Sequence, residues 1–354
     1  MISLEDYGYT DFYRDEEQEH PGFLPARVVE VQRGLYRVVS ARGETEAALK
    51  SSVYLAESGG ELFPTVGDFV LLEDRPGGGG RIVKTLRRRS FFLRRDPDPG
   101  RGAQAVAANF DTVLILMSLN QNFNLRRLER YLTAAWQSGG TPAVLLTKAD
   151  LAPDCASQLS AAEQAAPGVP VLAVSAVTGQ GLAQAAAFLT AGKTGVFLGS
   201  SGVGKSSLAN ALAGEERMEV GGIRMEDARG RHTTTHRQLI RLPGGGMIID
   251  TPGMRSLGIW DAPEGLDTAF SDVERLAESC RFPDCTHTAE PGCAVREALE
   301  NGTLDAKRLR NYQQLKREAA YTEKREADRQ RRQLAGRPGR KYNRKQKNRE
   351  DERA

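Results

Sequence analysis

The sequence predicts a multidomain chain: a small OB-like β-barrel, then an α/β domain with a mostly parallel sheet, then a short α-helical domain. Three observations predict it. Between residues 21 and 95, short β-branched runs are broken by glycine turns. From 103 to 262, apolar strands alternate with helical stretches. From 263 to 321 the pattern is helical, interrupted by a cluster of cysteines and a histidine.

The barrel rests on Arg27 to Val31 and Leu35 to Val39, separated by Gln32-Arg33-Gly34, and on Phe69 to Leu72 and Ile82-Val83 around the Gly77 to Gly80 loop. Several short strands with glycine turns suit a small closed barrel, of which the OB-fold is one option. Pro97, Pro99 and Gly100 read as a linker. Beyond it, strands are predicted at Thr112 to Leu116, Ala143 to Leu146, Val171 to Val174, Val196 to Leu198 and Met247 to Ile249, with a helix over Leu125 to Trp136. Such alternation builds a parallel sheet with helices on both faces.

The chain has 354 residues, 40% of them apolar and 27% charged, which is globular composition. No apolar run approaches the roughly 18 residues of a membrane span, and residues 1–20 lack the basic-then-apolar pattern of a secretory signal. Four cysteines do not make a disulfide scaffold. A cytoplasmic protein without membrane attachment is expected. The net charge of +3 conceals an uneven distribution. Residues 1–20 carry seven acids and one base, or −6, and are expected to form a flexible acidic N-terminus. Residues 322–354 carry 13 bases and six acids, or +7, and read as a flexible basic tail able to neutralise RNA phosphates. A third stretch, Arg81 to Arg101, sums to +6; within it Arg87-Arg88-Arg89-Ser90-Phe91-Phe92 mixes bases with aromatics that could stack on RNA. The alternatives are a solvated tail and a charge-guarded strand edge.

Gly199-Ser200-Ser201-Gly202-Val203-Gly204-Lys205-Ser206 matches G-x-x-x-x-G-K-[ST], follows a predicted strand and opens a helix from Ser207 to Leu212. In that setting backbone N–H groups converge on phosphate oxygens at a helix N-terminus. Lys205 is expected to reach the β- and γ-phosphates and Ser206 to bind Mg²⁺. Asp250-Thr251-Pro252-Gly253 ends another apolar strand. Asp250 is placed to hold the hydration shell of Mg²⁺, and the Gly253 N–H to approach the γ-phosphate.

Thr147-Lys148-Ala149-Asp150 follows the strand ending at Leu146. A single carboxylate accepts both guanine donors, N1–H and the N2 amino group, and adenine offers no such pair. Asp150 is therefore the expected guanine reader, with the Lys148 stem along the base and the Ser175-Ala176 backbone facing O6. The other reading of Asp150 is a helix N-cap. Thr147 stands where asparagine is usual in N-K-x-D and cannot copy the paired hydrogen bonds of an amide.

The base readers precede the phosphate loop, the reverse of the usual GTPase order, so the central P-loop domain reads as circularly permuted. The phosphate loop with Ser207-Leu208-Ala209-Asn210, Gly230-Arg231-His232-Thr233-Thr234-Thr235, and Asp250 to Gly253 together resemble the circularly permuted, small-ribosomal-subunit-dependent GTPases of the RsgA/YjeQ type. The resemblance spans about 21 to 321. It implies an OB-fold barrel (21–95), a permuted GTPase domain (103–262) and a zinc domain (263–321). It also implies GTP hydrolysis in late maturation of the small (30S) subunit, stimulated by that subunit, with its 16S rRNA as partner and the protein a monomer. A GTP-binding RNA chaperone with little turnover is the alternative function.

Met254 occupies the position after D-x-x-G where many GTPases carry a water-orienting glutamine, so slow intrinsic turnover is expected. Thr234 and Thr235 are the candidate switch threonines, Thr235 as a further Mg²⁺ ligand. His232, His236 and Asp261 are the candidates for positioning water. Family members place a histidine after Gly-x-Trp, whereas Gly258-Ile259-Trp260 is followed here by Asp261.

Cys280, Cys285, His287 and Cys293 fall within 14 residues as C-x₄-C-x-H-x₅-C. Three thiolates and an imidazole suit tetrahedral Zn²⁺ in a closed, structural site. A small helical segment with little core of its own would need such a staple.

Overall fold

The computed structural model describes residues 2–32, 34–50, 63–74, 79–95, 103–120, 123–152, 154–215, 237–250 and 263–335. After a short 3₁₀ turn at Glu5–Tyr7 comes helix α1 (Asp11–Gln18). Strands β1 (Leu24–Gln32), β2 (Leu35–Ser40), β3 (Gly43–Leu49), β4 (Phe69–Asp74) and β5 (Gly80–Thr85) follow. They pair in the cyclic order β1-β2-β3-β5-β4 and return to β1, which closes a five-stranded OB-like barrel. A register shift between Val28 and Glu30 accompanies the handover of β1 between neighbours. Inward residues Ala26, Val28, Val38, Ala47, Val70, Leu72 and Ile82 fill the barrel.

β6 (Phe91–Arg95) and β7 (Ala103–Ala108) form an antiparallel hairpin. The expected linker at Pro97 to Gly100 lies outside the described residues, but the strands on either side of it pair with each other, so it joins two strands of one hairpin. Next come β8 (Thr112–Ser118), α2 (Leu125–Gln137), β9 (Thr141–Thr147), α3 (Ala156–Ala165), β10 (Val171–Val174), α4 (Leu182–Ala186), β11 (Thr194–Leu198), α5 (Lys205–Ala213), β12 (Arg237–Arg241) and β13 (Met247–Asp250). The order β10-β9-β8-β11-β13 is parallel throughout, and β12 is antiparallel to β13. Both faces of this sheet are covered, which its almost continuous apolar strands require.

β12, which periodicity did not reveal, also pairs with β1: Glu30 faces Gln238 and Val31 faces Arg237. Barrel and nucleotide-type sheet are therefore one 11-stranded sheet. Gln238 stands between Glu30 of the barrel and Asp250 of β13.

The C-terminal helices are α6 (Pro263–Ala269), α7 (Ser271–Glu278), α8 (Ala294–Glu300) and α9 (Ala306–Ala335). Phe270, Val273, Val295, Leu309, Tyr312 and Leu315 join the same core as Leu128 and Leu132 of α2, so this segment borrows core from its neighbour.

Three expectations need correction. The acidic N-terminus is not a loose tail. Tyr9 and Tyr13 are buried against Phe69, and the Glu16 carboxylate meets Lys84 at 2.9 Å and the Arg87 backbone N–H at 2.8 Å. Aromatic burial and these pairings offset the charge that composition alone records. The basic tail does not begin at 322: α9 continues to Ala335, and 336–354 lie outside the described residues. In the Arg87 to Phe92 stretch Phe92 is buried and cannot stack on RNA, whereas the Phe91 ring is exposed. Arg87 caps the Phe12 carbonyl and lies over the Phe12 ring, Arg88 pairs with buried Asp68 at 2.7 Å, and Arg89 reaches Tyr13 and Asp111. Phe92 stacks on Phe110 inside the core.

Candidate functional site

The C-terminal ends of β8, β9, β10, β11 and β13 share one edge, where parallel α/β sheets bind ligands. The phosphate-type loop leaves β11 at Gly199. A Cβ there would approach the Leu116 carbonyl oxygen to 2.7 Å, so glycine is needed for the tight exit. Gly204 has φ +98° and turns the chain into α5, leaving the helix N-terminus facing the loop. Val203 is buried and anchors the loop in the core. Ser200, Ser206 and Ser207 are half-buried, and Ser201 and Gly202 are exposed. The Lys205 ammonium donates to the Gly199 carbonyl at 2.7 Å and the Ser200 carbonyl at 2.8 Å, which lays it across the loop.

Asp250 ends β13, the strand adjoining β11. Burial pushes its carboxyl up to about 6 against the opposing pull of the Lys205 charge. A carboxylate that gains from a nearby cation is suited to a divalent ion, and the oxygen set of Ser206 and Asp250 fits Mg²⁺ chemistry.

The base-reading side lies two strands away. Asp150 sits in a 3₁₀ turn (Ala149–Leu151), and the N-cap of α3 is Cys155, which removes the capping explanation for Asp150. Its Oδ1 accepts from the Ser175 hydroxyl at 2.6 Å. The Ser175-Ala176 backbone is expected to face O6; the Ser175 N–H donates to the Gln180 carbonyl at 2.9 Å, and the Ser175 side chain fixes the carboxylate. Lys148 takes φ +62°, a left-handed conformation rare outside glycine and frequent at functional sites. Thr147 is buried, and its hydroxyl donates to the Val203 carbonyl at 2.6 Å, joining the end of β9 to the phosphate loop. No spacing rule reveals a bond across 56 residues. Ala176 follows β10 at the same edge. The candidates Thr234, Thr235, Gly253, His232, His236, Asp261 and Met254 lie outside the described residues.

Cys280 follows α7, Cys285 and His287 lie in the next loop, and Cys293 caps α8. Their ligand atoms all lie within 4.8 Å of one another. His287 Nδ1 is 3.6 Å from both the Cys280 and Cys293 sulfurs, which are 3.9 Å apart. A tetrahedron with Zn–S bonds near 2.3 Å has edges of about 3.8 Å, so the donor set fits zinc in geometry as well as chemistry.

Arg308 of α9 is a feature the sequence did not flag. It pairs with Asp272 at 2.6 Å and Glu129 at 2.8 Å, donates to the Ala269 and Ala165 carbonyls and covers the Phe270 ring. It thus joins the last helix to α2 and α7.

Among the described residues no helix is long and apolar enough to cross a membrane. The family model described as RsgA GTPase matches residues 85–260. The chain is 47% identical over 318 residues to the small ribosomal subunit biogenesis GTPase RsgA 1 of Listeria innocua, covering 90% of each chain. It is 46% identical over 322 residues to the protein named small ribosomal subunit biogenesis GTPase RsgA in Streptomyces coelicolor, covering 89% of this chain and 86% of that one. Among solved structures, YjeQ from Thermotoga maritima matches with a TM-score of 0.62 and 28% identity, over 83% of this chain and 97% of that one. YloQ, described as a circularly permuted GTPase, matches in fold with a TM-score of 0.60 and 23% identity, over 86% and 97%. With phosphate loop, base-side aspartate and reversed motif order on one sheet edge, and relatives of this identity over nine-tenths of its length, the chain belongs to the RsgA GTPase family.

Proposed function

We propose that this chain binds GTP with Mg²⁺ and hydrolyses it during biogenesis of the small ribosomal subunit, with slow turnover until the subunit is engaged. One observation carries the nucleotide part. Asp150, fixed by Ser175, and Lys205, lying across the loop, are held at one sheet edge and joined through the Thr147–Val203 bond.

The 199–206 loop would hold the phosphates, with Ser200, Ser201, Gly202 and Ser207 offering backbone N–H groups and Lys205 turning from its carbonyl partners to the β- and γ-phosphates. Ser206 and Thr235 would hold Mg²⁺, with Asp250 through its hydration shell. Mg²⁺ supplies charge neutralisation on the phosphates when bound. Asp150 reads guanine N1–H and N2, the Lys148 stem covers the base, and the Ala176 N–H meets O6. Thr234 and the Gly253 N–H are assigned to the γ-phosphate. Cys280, Cys285, His287 and Cys293 hold one structural zinc.

16S rRNA is the proposed contact of the basic end of the chain, and the cytoplasm its location, with the protein acting as a monomer. The route from subunit to site runs through the sheet. Contact on the barrel acts on β1, β1 on β12, and β12 both follows the threonine cluster and faces Asp250.

Nucleotide exchange tests the base assignment. Asp150→Asn presents a donor where guanine has its N2 amino group, so affinity should pass from GTP to xanthosine triphosphate, whose C2 carries an acceptor oxygen. Unchanged preference for GTP would refute Asp150 as the reader.

A further inference from the structure

We infer that this chain recognises guanine without a hydrogen bond to N7, because Thr147 is committed to the phosphate loop and not to the base. The inference rests on the guanine-nucleotide reading above and specifies how that site reads its base.

A threonine hydroxyl has one proton to donate. The Thr147 oxygen lies 2.6 Å from the Val203 carbonyl and 3.5 Å from that of Met117, both acceptors, so its proton is spent on Val203. What remains on the oxygen is lone pairs. N7 of a purine is also an acceptor, and two acceptors facing each other repel. An asparagine amide at this position would have two N–H donors and could serve a carbonyl and N7 together. The hydroxyl is not free to swing, because Thr147 is only 4% exposed and its β-branched side chain is stiff at χ1. Releasing the Val203 carbonyl would also cost it this partner in a residue that is itself only 1% exposed.

Discrimination between purines does not suffer, since adenine and guanine share N7. The work falls on Asp150, and the structure fixes it. The Ser175 oxygen accepts from the Val177 and Thr178 backbone N–H groups at 3.2 and 3.1 Å, which directs its only proton to Asp150 Oδ1. Thr147 is thus a positioning residue for the loop.

The test compares GTP with 7-deaza-GTP, in which N7 is replaced by C–H, by competition binding to the full chain. The wild type should bind the two within about twofold, since no hydrogen bond is at stake. Thr147→Asn should gain a preference for GTP of about fivefold, the worth of one hydrogen bond. Thr147→Val, which keeps the shape but loses the proton, should weaken both nucleotides by the same factor. A wild type that binds 7-deaza-GTP fivefold or more weakly than GTP overturns the inference, as does an Asn variant without preference or a Val variant that weakens the two unequally. GTP that fails to bind at all would instead overturn the guanine-nucleotide reading.

Discussion

The Arg308 guanidinium lies 2.8 Å from the Glu129 carboxylate, a bond that joins α9 to α2 across 179 residues of chain. The same guanidinium holds Asp272 with two bonds, at 2.6 and 2.7 Å. The two carboxylates respond in opposite ways. Burial works against ionisation of both. At Asp272 the Arg308 bonds outweigh it and hold the carboxyl below its ordinary value, whereas at Glu129 burial prevails and holds it above.

Asp272 therefore contributes stability that is present above the ordinary carboxyl value near 4 and is lost as pH falls through its depressed folded value. Glu129 contributes with the opposite sign, its ionisation costing stability as pH rises past the ordinary value. Asp272→Asn should destabilise the chain at neutral pH by about 1–3 kcal/mol, and the gap to wild type should narrow towards pH 3. Glu129→Gln should cost less. Denaturant midpoints across that pH range check both signs.

Arg27 is fully buried where the N-terminal segment, barrel and sheet meet, bonded to the Tyr7, Gly67 and Asn109 carbonyls and lying over Phe69. Burial lowers its pKa to about 10, so it keeps its charge at neutral pH. Arg27→Ala should cost about 3 kcal/mol or more, because several carbonyls lose their donor at once. Arg27→Lys should not rescue it, since an ammonium cannot reproduce the planar fork. Thermal denaturation of the two variants is the check.

Zinc should be present at one atom per chain by elemental analysis. Chelation or Cys280→Ser should lower the melting temperature and loosen α7 and α8, seen as faster amide exchange there. Nucleotide affinity should change little, because the bonds of Cys280, His287 and Cys293 run to one another, to Leu276 and to Arg296, and not to Lys205 or Asp150.

Much of this molecule was legible in the sequence, and what was not has physical causes. The strands around Val113, Val144 and Val196 were visible because strands buried on both faces must be continuously apolar. The cluster of Cys280, Cys285, His287 and Cys293 was visible because metal-binding chemistry depends on local spacing. β12, with arginine at both ends and one buried residue, Ile240, has no such signature; its place is set by two partner strands distant in sequence. The N-terminal residues misled because composition registers their acids and not the aromatics between them. The role of the Ser175 side chain and the Arg308 bridge needed the tertiary structure, since neither local periodicity nor charge counting pairs residues 25 or 179 positions apart.

The claim that this chain is a GTPase governed by the small ribosomal subunit is tested most directly by steady-state GTP turnover with and without purified small subunits, at a salt concentration that permits RNA binding. The account predicts stimulation of at least about tenfold, modest beside what a partner can supply to a GTPase, and its loss in Lys205→Ala. A rate that purified subunits leave unchanged would contradict it.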